Sequence, residues 1–588
     1  MNKTLTTVLI LLLSTLSLAQ VNSFHLPVYP DFTIAKTTIP SNAAHISMDG
    51  FFSDWETIEP IHLDPTRDQL TGDLDFGHLW IANDERFLYI RIEVEAEINL
   101  QNDNAITLYL DTDNNTSTAS ELEWNFGDRY GRWINSDISA YDIGLVTMPT
   151  ITSNQFEIAI DRIKEPLLFS NDTIQITFVD RTGGDRIPDE GSNITYKFNN
   201  TQLAPIPKLT LSKQNEEHLR VLSYNVLRDG IWNSNRTSSF ERILRSIKPD
   251  IIGFQEIYSH TAEQTEAFVE IQFQERWYSS KVAPDIITIS RYPIIGAYPV
   301  TGNGAFLIDL RPEYNSDLLF IVAHPPCCNN NTGRQLEIDA IMAFIRDNRE
   351  YGRDFELKID TPIMIIGDLN LVGYAEQLET LLTGEIVNVA QYGSPFTPDW
   401  DGTDFTALLP RHTDLGMYYT WYDEGESFSP GRLDYIIFSD SVLEPANHFI
   451  LFTPEIAVES LVKYGLEAQD AIIASDHLPV VGDFILPIAY AIKSNEQLYQ
   501  PSYFSLEQNY PNPFNPTTMI SFKLYQKSKV KLSIYNLIGE EIKIITHQEY
   551  NAGYYKLLFN AEEFSSGLYF YKLEAGNFVS VKKMAFLK

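Results

Sequence analysis

The sequence predicts a multidomain protein in which a central layered α/β domain is flanked by two all-β domains. Three observations carry this reading. The chain of 588 residues is several times the length of one ordinary domain. Residues 24–200 and 505–588 alternate apolar and polar positions between clusters of turn residues, the period of half-buried strands. Residues 218–486 instead carry short continuous apolar runs separated by segments with apolar residues three to four apart, as buried strands alternating with helices do. Apolar residues make up 44% of the chain and aromatics 12%, enough for packed cores and too many for a disordered polymer.

In chain order, residues 1–19 read as a secretory signal peptide. Lys3 gives a positive start, Val8 to Leu18 is a compact apolar run, and Ser17-Leu18-Ala19 offers small residues for cleavage. That run is too short for a stable span, so no membrane insertion is expected after cleavage. Within 24–200, Phe87–Glu95, Ala105–Leu110 and Phe156–Ile160 alternate as strands. Asp111-Thr-Asp-Asn-Asn-Thr116 gathers oxygen donors that suit calcium, but it lacks the glycine and distal glutamate of an EF-hand loop. An Asx-rich turn is the simpler reading. Residues 201–217, with Pro205 and Pro207, read as a linker.

In the central region, Val221–Tyr224, Asp250–Phe254, Leu318–Ala323, Pro362–Ile366 and Asp434–Phe438 read as buried strands, and Ser239–Ile247 and Gln335–Arg349 as helices. Residues 487–504 read as a second linker. Thr518–Leu524, Lys529–Asn536, Tyr554–Phe559 and Leu568–Glu574 then alternate as strands of a small β-sandwich.

The two cysteines, Cys327 and Cys328, are adjacent. No disulfide framework is therefore expected, and the pair is either a vicinal disulfide or two free thiols. Charge is uneven: residues 215–486 hold 18 Lys and Arg against 41 Asp and Glu, whereas residues 505–588 hold 10 against 7. So acidic a central domain repels a phosphate backbone at long range, which weighs against a strongly binding nuclease.

Polar residues recur at the ends of the central strands. Asn225 ends the first and Glu256 follows the second; His324 closes a third, and Gly367-Asp-Leu-Asn370 a fourth. Arg432-Leu-Asp434 opens another strand, and Ser475-Asp-His477 stands near the end of the domain. Hard oxygen donors suit a cation such as Mg²⁺, and imidazoles move protons, so the combination fits a divalent-metal phosphoester site. Taken singly each motif reads as a turn or a capped loop. Arg334 opens a helix, where it either reaches a substrate phosphate or is solvated. Asp434 has Arg432 as its alternative, purely structural partner. His62, His260 and His412 have no companion motif and read as surface or loop histidines. Tyr418–Glu426 offers aromatics for stacking on a base or sugar, with ordinary packing as the plainer account.

Three resemblances bear on these segments. Met48-Asp-Gly-Phe-Phe-Ser-Asp-Trp55 and Leu79–Ile90 resemble the start of carbohydrate-binding family 9-like β-sandwiches, which implies a glycan partner for residues 24–200. Asn509-Tyr-Pro-Asn-Pro-Phe-Asn-Pro516, Tyr535–Gly539 and Ser566–Tyr571 resemble the C-terminal sorting domain of the Bacteroidetes type IX secretion system. That likeness implies an export address read by the secretion machinery of a Gram-negative bacterium, and a secreted or cell-surface location. The ordered set Asn225, Glu256, His324, Asp368 with Asn370, Asp434, and Asp476 with His477 resembles the endonuclease/exonuclease/phosphatase superfamily. This superfamily includes deoxyribonuclease I, exonuclease III-like repair enzymes, sphingomyelinases and inositol polyphosphate phosphatases.

The last resemblance implies a four-layer α/β sandwich of the deoxyribonuclease I-like type with its site at one edge. It also implies Mg²⁺, or Mn²⁺ or Ca²⁺, on Glu256 with Asn225, and a second cation on Asp476. Asp368 would place or deprotonate the attacking water, and Asn370 would donate to a phosphate oxygen. His477, held by Asp434, would polarise the phosphate or act as base, and His324 would protonate the leaving oxygen. The expected protein is a secreted metal-dependent hydrolase of phosphodiesters, acting on DNA, RNA, nucleotides or another small diester. A sphingomyelinase-like phospholipase C and a phosphomonoesterase share the motifs. A surface glycan-binding protein with an inactive centre is the alternative of another class; such a relic would have lost one of Glu256, Asp368, Asp434 or His477, and all are present.

Overall fold

A computed structural model describes residues 39–65, 74–113, 121–134, 136–165, 168–311, 313–486 and most of 505–588. The signal-peptide reading, the 487–504 linker and the second half of the Asp111–Thr116 loop lie outside them. The described half of that loop is an Asx turn, with Asp113 N donating to Asp111 Oδ1.

The central domain is built on two six-stranded mixed sheets. Its strands are β1 (Leu219–Asn225), β2 (Ile251–Gln255), β3 (Tyr278–Ser280), β4 (Ile287–Ser290), β5 (Ile294–Val300), β6 (Asn303–Asp309), β7 (Asp317–Ala323), β8 (Ile363–Asp368), β9 (Thr406–Ala407), β10 (Asp434–Phe438), β11 (Glu444–Ile450) and β12 (Val480–Ile485). One sheet runs β3-β4-β2-β1-β12-β11 and the other β5-β6-β7-β8-β10-β9. The pairs β1–β2 and β7–β8 are parallel, each joined by a crossover helix, and the remaining pairs are antiparallel. Its helices include α1 (Thr237–Ile247), α2 (Ala262–Phe273) and α3 (Asn331–Tyr351).

Strand alternation sorts the side chains into layers. Val221, Ile251, Phe320, Val322, Met364 and Ile366 point between the sheets into one core. Leu222, Tyr224 and Ile252 turn outward onto Phe240, Ile243 and Leu244 of α1. Ile363 and Ile365 turn outward onto Ile338, Ile341 and Ile345 of α3. The layers are therefore helix, sheet, sheet, helix. Both faces of the inner strands β1, β2, β7, β8 and β10 are covered, which is why these strands read as continuous apolar runs.

The strands between His62 and Lys197 form a five-stranded and a seven-stranded antiparallel sheet enclosing a separate core. The chain from Ser505 to Phe586 forms a three-stranded and a four-stranded antiparallel sheet around Phe514, Phe522, Ile534 and Tyr571. Ile46, Met48, Trp55 and Trp80 of the N-terminal sandwich share a core with Leu408, Met417, Tyr419 and Phe452 of the central domain. The segment 201–217 is no loose tether: Leu211 is buried, Leu209 N donates to Thr413 O, and Asn447 Nδ2 donates to Thr210 O.

Arg220 and Asp483 lie opposite each other in the β1–β12 register, and both are buried. Their paired bonds of 2.5 and 2.7 Å tie together the strand that ends in Asn225 and the one that follows His477. Removing one partner leaves an uncompensated buried charge, so Asp483→Ala is expected to destabilise the protein by about 3–5 kcal/mol, read as a lower urea midpoint.

Candidate active site

Because β8 and β10 are antiparallel and β1, β2 and β7 all point the same way, their functional ends meet at one edge of the sandwich. Asp368 lies opposite Asp434, and Asn225 beside Gln255, the residue before Glu256. The expected Asn225, Glu256, His324, Asp368, Asn370, Asp434 and His477 are thereby brought together.

The carboxylate of Asp368 is the hub. Its Oδ2 accepts from Asn225 Nδ2 at 3.1 Å and Asn370 Nδ2 at 3.3 Å. The same oxygen lies 3.4 Å from His477 Nε2 and 3.5 Å from His324 Nε2. Each imidazole is gripped from behind by a second acid: His477 Nδ1 lies 2.8 Å from Asp434 Oδ2, and His324 Nδ1 lies 2.6 Å from Asp285 Oδ2. Burial alone would discharge His477, but Asp434 and Asp368 outweigh it and carry its pKa up to about 10. His324 is treated likewise: burial opposes its charge, and Asp285 and Asp368 carry it well above the ordinary histidine range. Burial pushes Asp368 up, yet His477 and His324 prevail and hold it below its usual value. Asp434 ends above its usual value, because burial outweighs the attraction of His477.

Backbone geometry serves the same edge. Gly367 has φ +142°, and a Cβ there would meet Ala323 O at 1.9 Å, so the Gly-Asp-x-Asn turn needs glycine. Glu256 and Asn370 hold left-handed conformations at φ +64° and +51°. Leu227, Arg228 and Asp229 are three consecutive left-handed residues. They wrap Glu256, whose Oε2 accepts from Arg228 N at 2.9 Å and whose Oε1 accepts from Asn225 Nδ2 at 3.2 Å. Non-glycine residues in this region store strain, which is concentrated here at the site.

The readings of Arg334 as a substrate-reaching or solvated residue, of Arg432 as partner of Asp434 and of His412 as a surface or loop histidine need correction. Arg334 does not reach into a substrate space. It is fully buried, and its guanidinium donates to Pro326 O, Asn331 Oδ1, Gln377 Oε1 and Cys328 O, securing the loop that follows His324. The carboxamide oxygen of Asn225, expected as a metal ligand, accepts from Leu227 N, and its NH₂ faces the two carboxylates. In this orientation Asn225 spaces Glu256 from Asp368, and ligation by its oxygen needs the amide to turn over. The amide of Asn370 is engaged with Pro325 O and Asp368, so donation to a phosphate requires release of the longer bond. Asp476 accepts from Trp421 Nε1 and Ser475 Oγ, beside His477, whose charge it supports. Arg432 is not the partner of Asp434: it donates to Leu408 O and lies over the Tyr435 ring. His412 is buried against Tyr419, and desolvation lowers its pKa to about 4. His62 pairs with Asp64, and His260 pairs with Asp229 while stacking on Trp232. Tyr419 and Tyr422 pack with Phe452, and Tyr422 also meets Tyr141 of the N-terminal sandwich. Cys327 and Cys328 form a vicinal disulfide.

Asp285 escaped the sequence reading. Its signal was a carboxylate directly ahead of the apolar run Ile286-Ile-Thr-Ile289, the same placement as the other strand-end acids. The roles of Ser475 and Thr420 escaped it too. Ser475 Oγ donates to Asn225 O, and Thr420 Oγ1 accepts from Leu433 N and Asp434 N; a single hydroxyl in a loop gives no such sign.

The chemistry of the donor set fits a divalent cation. Asp368, Asp434 and His477 place one donor atom each within 4.8 Å of one another, but Nδ1 of His477 is already committed to Asp434, so this trio is better described as a proton-holding chain. Glu256 and Asp368 are the better pair: both accept from one amide nitrogen, and both are hard oxygen ligands.

A four-layer sandwich with acid-backed histidines and carboxylates along one edge is a phosphoester-hydrolase architecture. Residues 222–477 of the central domain match the model of the Endonuclease/Exonuclease/phosphatase family. Residues 508–586 match the Secretion system C-terminal sorting domain, which marks the chain as secreted or displayed at the cell surface. No curated protein matches the chain. Similar solved structures include ANGEL2, a 2',3'-cyclic phosphatase, at 15% identity over 48% of this chain and 97% of that one, with a TM-score of 0.32. Beta toxin 275-280 from Staphylococcus aureus follows at 15% identity, 45% and 99% coverage and a TM-score of 0.29. AP endonuclease LMAP from Leishmania major has 10% identity, 48% and 93% coverage and a TM-score of 0.27. At these scores none of the three informs the substrate. Among the described residues no helix is long and apolar enough to cross a membrane.

Two outcomes follow from the charges. The folded pKa of His477 stands above its ordinary 6.5, so the stability it contributes is complete below 6.5 and is lost as pH rises through about 10. Asp434→Asn removes the main charge sustaining the imidazolium, and the alkaline limb of a pH–stability curve is expected to move to lower pH. Arg334→Met is expected to lower the melting temperature while leaving KM unchanged, since all its identified bonds are internal.

Proposed function

We propose that the protein is an exported, divalent-metal-dependent phosphodiesterase whose catalytic domain is residues 218–486. The observation that carries this reading is the Asp368 carboxylate set between Nε2 of two histidines, each backed by its own buried acid, next to Glu256. A paired set of charged imidazoles around an acceptor carboxylate suits a reaction in which one oxygen attacks phosphorus as another leaves.

In this mechanism His477 works as an imidazolium. Asp434 fixes its Nδ1 proton, and Nε2–H is left to donate to a non-bridging phosphoryl oxygen. His324, fixed by Asp285, protonates the leaving oxygen. Asp368 orients the attacking water and receives its proton, a task made easier when a histidine has given its own proton away. Glu256 and Asp368 would hold the cation, whose chemistry is to offset charge developing on the phosphoryl oxygens. Asn225 keeps the two carboxylates apart and oriented.

The acidic balance of 18 basic to 41 acidic residues over 215–486 favours a small soluble diester or a nucleotide over a long polyanionic strand. Residues 1–19 serve as signal peptide and 505–588 as the address for the type IX machinery. A glycan role for the N-terminal sandwich gains nothing from its signature residues. Met48 pairs with Met417, and Trp55 is buried with its Nε1 on Glu157.

The full chain is expected to hydrolyse bis-p-nitrophenyl phosphate with Mg²⁺, Mn²⁺ or Ca²⁺ and to stop with EDTA. Glu256→Gln and His477→Ala should each lose about 10²–10⁴-fold in kcat. Turnover unaffected by EDTA, or retained in both variants, overturns the proposal.

A further inference from the structure

The two segments that carry the catalytic acids of the second sheet are held from outside their own domain. Asp368 and Asn370 are followed by Leu371-Val-Gly373, and Asp434 is preceded by Gly431-Arg-Leu433. Thr150, a buried residue of the N-terminal sandwich, places its hydroxyl 2.9 Å from Leu371 O and 3.2 Å from Arg432 O. Its one proton is thus shared between the segment leaving Asn370 and the segment entering Asp434. Asn99 Nδ2 donates to Val372 O at 2.8 Å, and Thr152 N donates to Gly373 O at 2.8 Å. Gly431 permits the approach, because a Cβ there would meet Thr150 Cγ2 at 2.7 Å. Within the central domain the two segments meet through Leu369 N and Leu433 O at 2.9 Å.

We infer that Thr150 and Asn99 of the N-terminal sandwich are positioning residues for the active site, so that the sandwich is part of the catalytic unit. The inference builds on the phosphodiesterase reading and adds what sets the distance between Asp368 and the Asp434–His477 pair. Carbonyls at a loop are free to turn to water. A buried hydroxyl that satisfies two of them at once fixes the separation of their strands, and the acids next to them in sequence follow. A module tethered by a flexible linker would not need its polar groups at these carbonyls.

The test compares full-length Thr150→Val, which keeps shape and removes the hydroxyl, with Thr150→Ser, which keeps the hydroxyl, and with Asn99→Ala. Thr150→Val is expected to lower kcat about tenfold with little change in KM, and Thr150→Ser to restore it. Amide hydrogen exchange supplies a readout independent of turnover. In Thr150→Val, residues 369–373 and 431–434 should exchange faster, with the rest of the central domain unchanged. Wild-type kcat together with wild-type exchange in these segments overturns the inference. A melting temperature lowered by a uniform rise in exchange, at unchanged kcat, also overturns it, since Thr150 would then act on stability alone. If the wild-type chain shows no metal-dependent turnover, the phosphodiesterase reading fails, and the exchange comparison still decides whether Thr150 positions the two segments.

Discussion

The buried carboxylate of Asp368 is the interaction on which the site depends. It draws two imidazoles and two carboxamides to one oxygen. A charge so placed is costly unless its surroundings answer it. Here the answer is distributed: the amide donors orient it, and the imidazolium charges of His324 and His477 hold its pKa down against burial. Those imidazolium charges are themselves sustained by Asp285 and Asp434. Removal of Asp434 therefore weakens the charge on His477, and a weaker charge there loosens the hold on Asp368.

The fold supplies this arrangement through strand direction. In a mixed sheet, the C-terminal end of a strand and the N-terminal end of its antiparallel neighbour lie at the same edge. That places Asp434, which opens its strand, opposite Asp368, which closes its own. The buried Arg220–Asp483 pair fixes the corresponding register in the other sheet, where β1 leads to Asn225 and β12 follows His477. The strained turn at Leu227–Asp229 then brings a main-chain donor to Glu256. Rigid strands set the coarse positions, and left-handed turns make the last adjustments.

The two flanking modules differ in their relation to this centre. The C-terminal sheets enclose their own core, in keeping with an address that export machinery reads. The N-terminal sandwich shares a core with the central domain, and Arg86 forms a two-bond pair with Glu455 across the junction. Its signature residues Met48 and Trp55 are spent on that junction. A stretch that resembles a carbohydrate-binding module is thus used as a packing surface.

What the sequence determined by itself was set by local periodicity and by residue type. Two-residue alternation marked the outer sandwiches, continuous apolar runs marked the doubly covered central strands, and α1 and α3 stood out by their spacing. The strand-end acids and histidines were legible only as an ordered set that resembles a known family, since each motif alone reads as a turn or a capped loop. Pairings across the fold were not legible. Nothing local shows that Asp285 grips His324, that Arg334 is turned inward onto four acceptors, or that Thr150 touches carbonyls more than two hundred residues away. These depend on which strand ends and loops meet, a matter of topology and close packing that no window of sequence contains.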